Sequence, residues 1–260
     1  MKNIILSISL IALLTGCKNE TTKEVKSTVQ NEVASIDSYQ PKIEIMPISH
    51  ATFAMKWDDK VFYIDPVGGI EAFQNLPEED VILITDIHGD HLNLETLNGI
   101  RSEGSLLIVP EAVNEKIKED QSDAEVIHND QSTSFDGFKV TAIPMYNLTE
   151  ERLKFHEKGR GNGYVIEKND YKVYISGDTE DIPEMRALQG IDKAFVCMNL
   201  PYTMTVESAA DAVLDFAPPV EVYPYHYKGT EGKSDVIKFK ELVNTGNSDI
   251  QVNQLEWYPN

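Results

Sequence analysis

Residues 81–93, VILITDIHGDHLN, constrain this chain most: an apolar run over 81–84 stops abruptly in a knot of imidazoles and carboxylates. The run reads as a buried strand and the knot as the loop at its C-terminal end. Asp86, His88, Asp90 and His91 follow one another within that loop. Their spacing lets several side chains converge on one point, where two carboxylates and two imidazoles repel one another unless a cation sits among them. Metal binding is the chemistry such a cluster serves.

The other end of the chain carries an address. Lys2 precedes an apolar segment over 4–14, and Leu14-Thr15-Gly16-Cys17 closes it. A segment this short is a signal-peptide core and not a bilayer span. Its last four residues resemble a bacterial lipobox, which implies a signal peptide over 1–16 and acylation of Cys17. The body is then expected at the cell envelope, lipid-anchored and outside the cytoplasm. Residues 17–40, rich in Lys, Glu, Thr, Ser and Asn, read as a flexible tether, and the folded domain is expected over 41–260. With Cys17 used for lipid, Cys197 has no partner for a disulfide, and its apolar neighbours make it a core residue.

The balance of 43 acidic against 23 basic side chains gives a formal charge of -20. Such a surface repels phosphate backbones and anionic lipid, so no nucleic-acid partner is expected and contact with membrane is expected only through the anchor. Within the domain, strands are expected over 42–47, 51–57, 60–64, 105–109, 126–128, 138–144, 163–167, 172–176, 194–198 and 220–224. Helices are expected over 93–104, 111–119 and 206–215. Two strand-rich halves, each followed by helices, suggest two sheets packed face to face. Five of the six histidines, His50, His88, His91, His156 and His226, fall at expected strand ends or in the loops that follow, whereas His128 reads as a surface residue. One edge of such a sandwich would collect ligands from distant loops.

The order His50-Ala51, Asp86-x-His88-x-Asp90-His91, Gly177-Asp178-Thr179 and Tyr225-His226 resembles the metallo-β-lactamase superfamily. Ser49-His50-Ala51, Asp65-Pro66 and Gly177-Asp178-Thr179 are similar to its ascorbate-phosphate lactonase-like branch. The resemblance runs from Lys42 to the C-terminus and implies an α/β (α+β) fold, a single-domain four-layer αββα sandwich with its site at one edge. It also implies one or two divalent metal ions, zinc first, with manganese or iron as alternatives. His88 would serve a first metal position, Asp90, His91 and His226 a second, and Asp178 would bridge them. The chain departs from the family twice: Asp86 replaces the usual first histidine of the motif, and Tyr146-Asn147 stands where a histidine is expected after the strand ending at Pro144. Three readings follow. Asp86, His88 and Asp178 still hold an ion with Asn147 or His156 completing the shell; or one ion binds, at Asp90, His91, Asp178 and His226; or the scaffold binds a ligand without hydrolysing it.

Metal chemistry of this kind lowers the pKa of bound water from 15.7 to about 7. Asp90 is placed to hold or take that proton. An ester, lactone, amide or phosphodiester bond of a small or medium substrate suits such a site. Lys158 and Arg160, in the glycine-rich loop 156–163, can meet an anionic group, and Tyr146, Tyr202 and Tyr225 can line a pocket.

Overall fold

The computed structural model of the protein describes residues 39–216, 219 and 221–258. The signal peptide expected over 1–16, Cys17 and the expected tether up to residue 38 lie outside these described residues. Ile43–Ser49 (β1), Thr52–Trp57 (β2), Lys60–Ile64 (β3), Val81–Leu83 (β4), Leu106–Val109 (β5) and Glu125–Val126 (β6) form one sheet in that spatial order. β1 to β3 run antiparallel, and β3 to β6 are parallel.

The second sheet draws on Ser132–Phe135 (β7), Phe138–Met145 (β8), Gly161–Lys168 (β9), Tyr171–Ile175 (β10), Lys193–Val196 (β11) and Glu221–Pro224 (β12). After a short hairpin of Lys228–Gly229 (β13) and Gly232–Lys233 (β14) comes Gln251–Val252 (β15), and the sheet order is β15-β12-β11-β10-β9-β8-β7. Its β10, β11, β12 and β15 are parallel. Helices Leu94–Ile100 (α1), Glu111–Ile117 (α2), Pro183–Arg186 (α3), Val206–Asp215 (α4) and Val236–Gly246 (α5) complete the fold.

The strand period of two explains why the first sheet is apolar on both faces. In β2, Phe53, Met55 and Trp57 enter the core between the sheets, whereas Ala54 joins a second cluster. β3 and β4 divide in the same way, with Phe62, Ile64, Val81 and Leu83 inside and Val61, Tyr63 and Ile82 outside. Leu97 of α1 and Val113 and Ile117 of α2 cover that outer face. Between the sheets Phe53 stacks on Phe195 of β11 at 4.4 Å, while Tyr174 of β10 turns toward Phe216 at the end of α4. α4 buries Ala209, Ala212 and Val213, and α5 buries Phe239 and Val243. The sequence expectation of two sheets with helices outside is what the fold shows.

One strand assignment needs correction. The successive strands expected over 126–128 and 138–144 belong to different sheets: β6 ends the first, and the hairpin partner of β8, across Asp136-Gly137, is β7. Ser132–Phe135, STSF, lacks an apolar run because it is an edge strand whose backbone needs only one neighbour. His128 is exposed and Cys197 buried, and burial pushes the Cys197 thiol up to about 12.

Candidate metal centre

Parallel strands put successive C-terminal ends at one edge, and the loops that leave them build the site. Asp65 follows β3, Thr85 to His91 follow β4, Asn147 follows β8, and His156 and Arg160 precede β9. Asp178 follows β10, Asn199 follows β11 and His226 follows β12. Gly177, at φ 60, ends β10 where a Cβ would lie 2.4 Å from the Met145 sulfur, so only glycine brings Asp178 this close beneath the neighbouring loop. His50, Asp65 and His226 also carry positive φ values, of 49, 45 and 44. Non-glycine residues adopt this region at a cost of about 1–3 kcal/mol each, and they cluster where function demands a geometry.

Asp178 is the hub. Its Oδ2 lies 3.4 Å from His91 Nε2 and 3.2 Å from His156 Nε2, and its Oδ1 lies 3.3 Å from His226 Nε2. Asp90 closes the group, with Oδ2 3.3 Å from His226 Nε2 and Oδ1 3.9 Å from His91 Nε2. Two donor clusters result: Asp90, His91 and His226 on one side of Asp178, and Asp86, His88 and His156 on the other.

The residues present fit a divalent ion. Metal–donor bonds of about 2.0–2.2 Å in tetrahedral array separate neighbouring donors by about 3.4 Å, close to the spacings around Asp178. Moreover, His91 Nε2, His156 Nε2 and Asp178 Oδ1 are buried without an aligned hydrogen bond despite these short separations. Their lone pairs converge on shared space and not on one another, which is what a bound cation resolves.

The surroundings hold the donors in place. Asp65, fully buried, accepts from His91 Nδ1 at 2.8 Å, from the Thr85 hydroxyl at 2.7 Å and from the Thr85 amide at 2.7 Å. Its carboxylate thereby directs His91 Nε2 inward, the orientation carboxylates give to metal-binding histidines. Asn199 donates toward Asp178 Oδ2 at 3.4 Å while its own Oδ1 accepts from Thr203 at 2.6 Å. Glu180, buried, accepts from the Leu148 and Thr149 amides and the Thr149 hydroxyl and pairs with Arg152, which pins the loop that carries Asn147. Asn147 in turn donates to the Arg152 and Tyr202 carbonyls and contacts His156 Nδ1 at 3.2 Å. It is a support for His156, with its amide nitrogen facing that ring.

Electrostatics follow from this packing. Burial pushes Asp178 upward, but His226 and His91 outweigh it and hold the carboxyl well below its usual range. Burial disfavours charge on His91 and His226, yet the Asp178 carboxylate, with Asp65 at His91 and Asp90 at His226, overturns it. His91 rises well above 6.5 and His226 rises to about 9. Asp90 is likewise held below the carboxylate range, against burial, by His226 and His91. Without a cation His91 and His226 hold their protons more tightly than a free imidazole, and a metal ion must displace them.

Several expected pocket residues have other partners. Lys158, largely exposed, pairs with Glu184 at 2.7 Å, and Arg160 spans both oxygens of the buried Asp86 at 3.1 Å each, which commits its guanidinium. Tyr225 is fully buried against Phe53 and Trp257, where its hydroxyl accepts from the Gly177 amide, and Tyr146 donates to Glu184. His50 packs edge-on to His226 at 5.4 Å with its Nδ1 3.4 Å from the Tyr258 hydroxyl. Tyr202 alone of the three tyrosines reaches the cavity of about 300 Å³ at the site, whose polar side is His88, Asp90, His156 and Asp178. Phe155 joins it, with the two rings edge to face at 5.0 Å. A larger cavity of about 410 Å³, lined by Lys60, Glu79, Asp80 and Asp136, contains no histidine. Sequence reasoning noted Asp65 only within the Asp65-Pro66 resemblance and gave its carboxylate no role, and Phe155 and Asn199 carry no local signal at all.

Comparison with known proteins agrees with this geometry. A family model described as the beta-lactamase superfamily domain matches residues 44–226. A crystal structure of a provisionally named metal-dependent hydrolase from Parabacteroides distasonis is 34% identical, with a TM-score of 0.74, and covers 85% of this chain and 100% of that one. A UPF0173 metal-dependent hydrolase of Thermococcus onnurineus is 29% identical over 77% of this chain and 92% of its own length. Igni18, a metallo hydrolase from Ignicoccus hospitalis, shares the fold at 21% identity and a TM-score of 0.68, over 82% of this chain and 94% of its own.

Proposed function

The chain belongs to the beta-lactamase superfamily, and from that premise we propose that it is a metal-dependent hydrolase that uses metal-activated water on an ester, lactone or phosphodiester bond. The observation that carries the reading is Asp178, a single buried carboxylate within 3.4 Å of three imidazoles beneath an open cavity. Nitrogen and oxygen donors in this mixture suit zinc first, with manganese or iron favoured as more oxygens take part. A divalent ion bound there supplies Lewis acidity and lowers the pKa of water from 15.7 to about 7.

The chain's own residues supply the rest. Asp90 is half exposed and lines the cavity, so its carboxylate is the group placed to hold or take a proton of the water there. Asp65 fixes the tautomer of His91, and Asn199 fixes the carboxylate plane of Asp178. Phe155 and Tyr202 offer ring faces to an apolar portion of the substrate, while the Arg160 guanidinium is committed to Asp86. Export and lipid attachment at Cys17 rest on the sequence pattern of residues 2–17, and they place the substrate at the cell envelope.

Loading the protein with zinc or manganese and assaying nitrophenyl esters, lactones and a nitrophenyl phosphodiester tests the reading. His91→Ala and His226→Ala lose both metal and turnover under this account. A protein that retains no metal and cleaves none of these substrates would instead be a binding protein on a hydrolase scaffold.

A further inference from the structure

The two donor clusters around Asp178 differ in a way that bears on how many ions they hold. Asp178 lies 3.4 Å from His91 Nε2 and 3.3 Å from His226 Nε2, and Asp90 lies 3.3 Å from His226 Nε2 and 3.9 Å from His91 Nε2. On the other side Asp86 Oδ2 and His88 Nδ1 stand only 2.6 Å apart, a hydrogen-bond distance and too short for two donors on one ion, while His156 Nε2 stands 4.0 Å from the same oxygen.

The Asp86 carboxylate is also already neutralised. Arg160 Nε reaches Oδ1 and its Nη2 reaches Oδ2, both at 3.1 Å, in the fork geometry that guanidinium and carboxylate share. The same Nη2 donates to the Phe155 carbonyl, which locks the guanidinium in place. Asp86 is fully buried and Arg160 largely so, which strengthens the pair against competition from solvent. Counting charge, Asp90 and Asp178 bring two negative groups and only imidazoles to their cluster, which matches one divalent ion. Asp86 and Arg160 cancel, and His88 and His156 remain beside a fixed cation.

We propose that the Arg160 guanidinium takes the place of an ion at the Asp86 side, so that the centre holds one metal ion, at Asp90, His91, Asp178 and His226. The proposal rests on the metal-dependent reading of the site and adds its stoichiometry. His156 then serves the shared carboxylate Asp178, and Asp86 acts as an anchor for Arg160 and for the His88 ring. The centre thus has one exchangeable cation and one built in.

The test is the metal content of the full chain, loaded separately with excess zinc, manganese and iron(II), freed of unbound metal, and measured by inductively coupled plasma mass spectrometry. One ion per chain is expected for the unaltered protein. The double variant Asp86→His with Arg160→Ala removes the built-in cation and supplies an imidazole, and it is expected to take up close to two. Two ions in the unaltered protein would overturn the proposal and leave the hydrolase reading standing; none would overturn both. A folded double variant that still takes one ion would overturn the role given to Arg160. Should that variant fail to fold, the count in the unaltered protein decides.

Discussion

Asp65→Asn is nearly isosteric, yet it sets two requirements against each other. The native carboxylate accepts three hydrogen bonds, from the Thr85 amide at 2.7 Å on Oδ1 and from the Thr85 hydroxyl at 2.7 Å and His91 Nδ1 at 2.8 Å on Oδ2. An amide has one accepting end. If its oxygen faces His91, the NH2 meets the Thr85 amide and leaves a buried donor unpaired, which costs about 1–3 kcal/mol of stability. If its oxygen faces Thr85, the NH2 meets His91 Nδ1 and forces the ring proton onto Nε2, the atom aimed at Asp178. Loss of an orienting carboxylate of this kind lowers metal affinity about 10–100-fold, or about 1.4–2.8 kcal/mol. One of the two quantities must move. Urea denaturation of the metal-free protein reads the first, and chelator competition reads the second. A variant with native values in both would refute the role assigned to Asp65.

In the metal-free protein His226 titrates at about 9 against 6.5 when unperturbed. The stability this gives is complete below pH 6.5 and is lost as pH rises toward 9, by at most about 3 kcal/mol; a chelated sample whose denaturation midpoint stays flat across that window would contradict it. Metal-induced stabilisation should grow over the same window, as displaced protons cease to compete. Truncation of Phe155 or Tyr202 to Ala should raise KM for an aromatic ester several-fold with a smaller effect on kcat, and equal effects on a methyl ester would count against the ring contacts. Glu180→Ala strips the loop 148–152 of its buried acceptor, and a loss of about 2–4 kcal/mol in a melting experiment is the expected outcome. Gly163→Ala would bring a Cβ within 2.9 Å of the Ile175 and Ser176 carbonyls, and destabilisation of about 1–3 kcal/mol should follow.

Local pattern carried much of this architecture. The apolar residues 81–84 declare a strand with both faces buried, and the structure divides them between two clusters, Val81 and Leu83 in one and Ile82 and Ile84 in the other. Asp86, His88, Asp90, His91, Asp178 and His226 stand out in sequence because polar groups at strand ends face neither core nor an obvious turn, and the fold gathers them around one hub. What stays hidden is whatever depends on a distant partner. Arg160 meets Asp86 from 74 positions away, so a loop with glycines and two cations looks like an anion site when one cation is bound to Asp86 and the other to Glu184. The hydroxyl of Tyr225 looks available for a pocket until packing places it under Gly177. Strand β7 escapes for the opposite reason, since an edge needs backbone pairing and little apolar content. α5 lies beyond the sequence reading because its exposed Ile237 blurs the helical stripe formed by Phe239 and Val243.

The central claim is that Asp90, His91, Asp178 and His226 enclose a divalent ion. Crystals of the zinc-loaded protein, measured above and below the zinc absorption edge, test it directly. The account predicts one anomalous peak within about 2.0–2.2 Å of His91 Nε2, His226 Nε2 and a carboxylate oxygen of Asp178. The absence of any peak there, with the protein folded and zinc in excess, would contradict it.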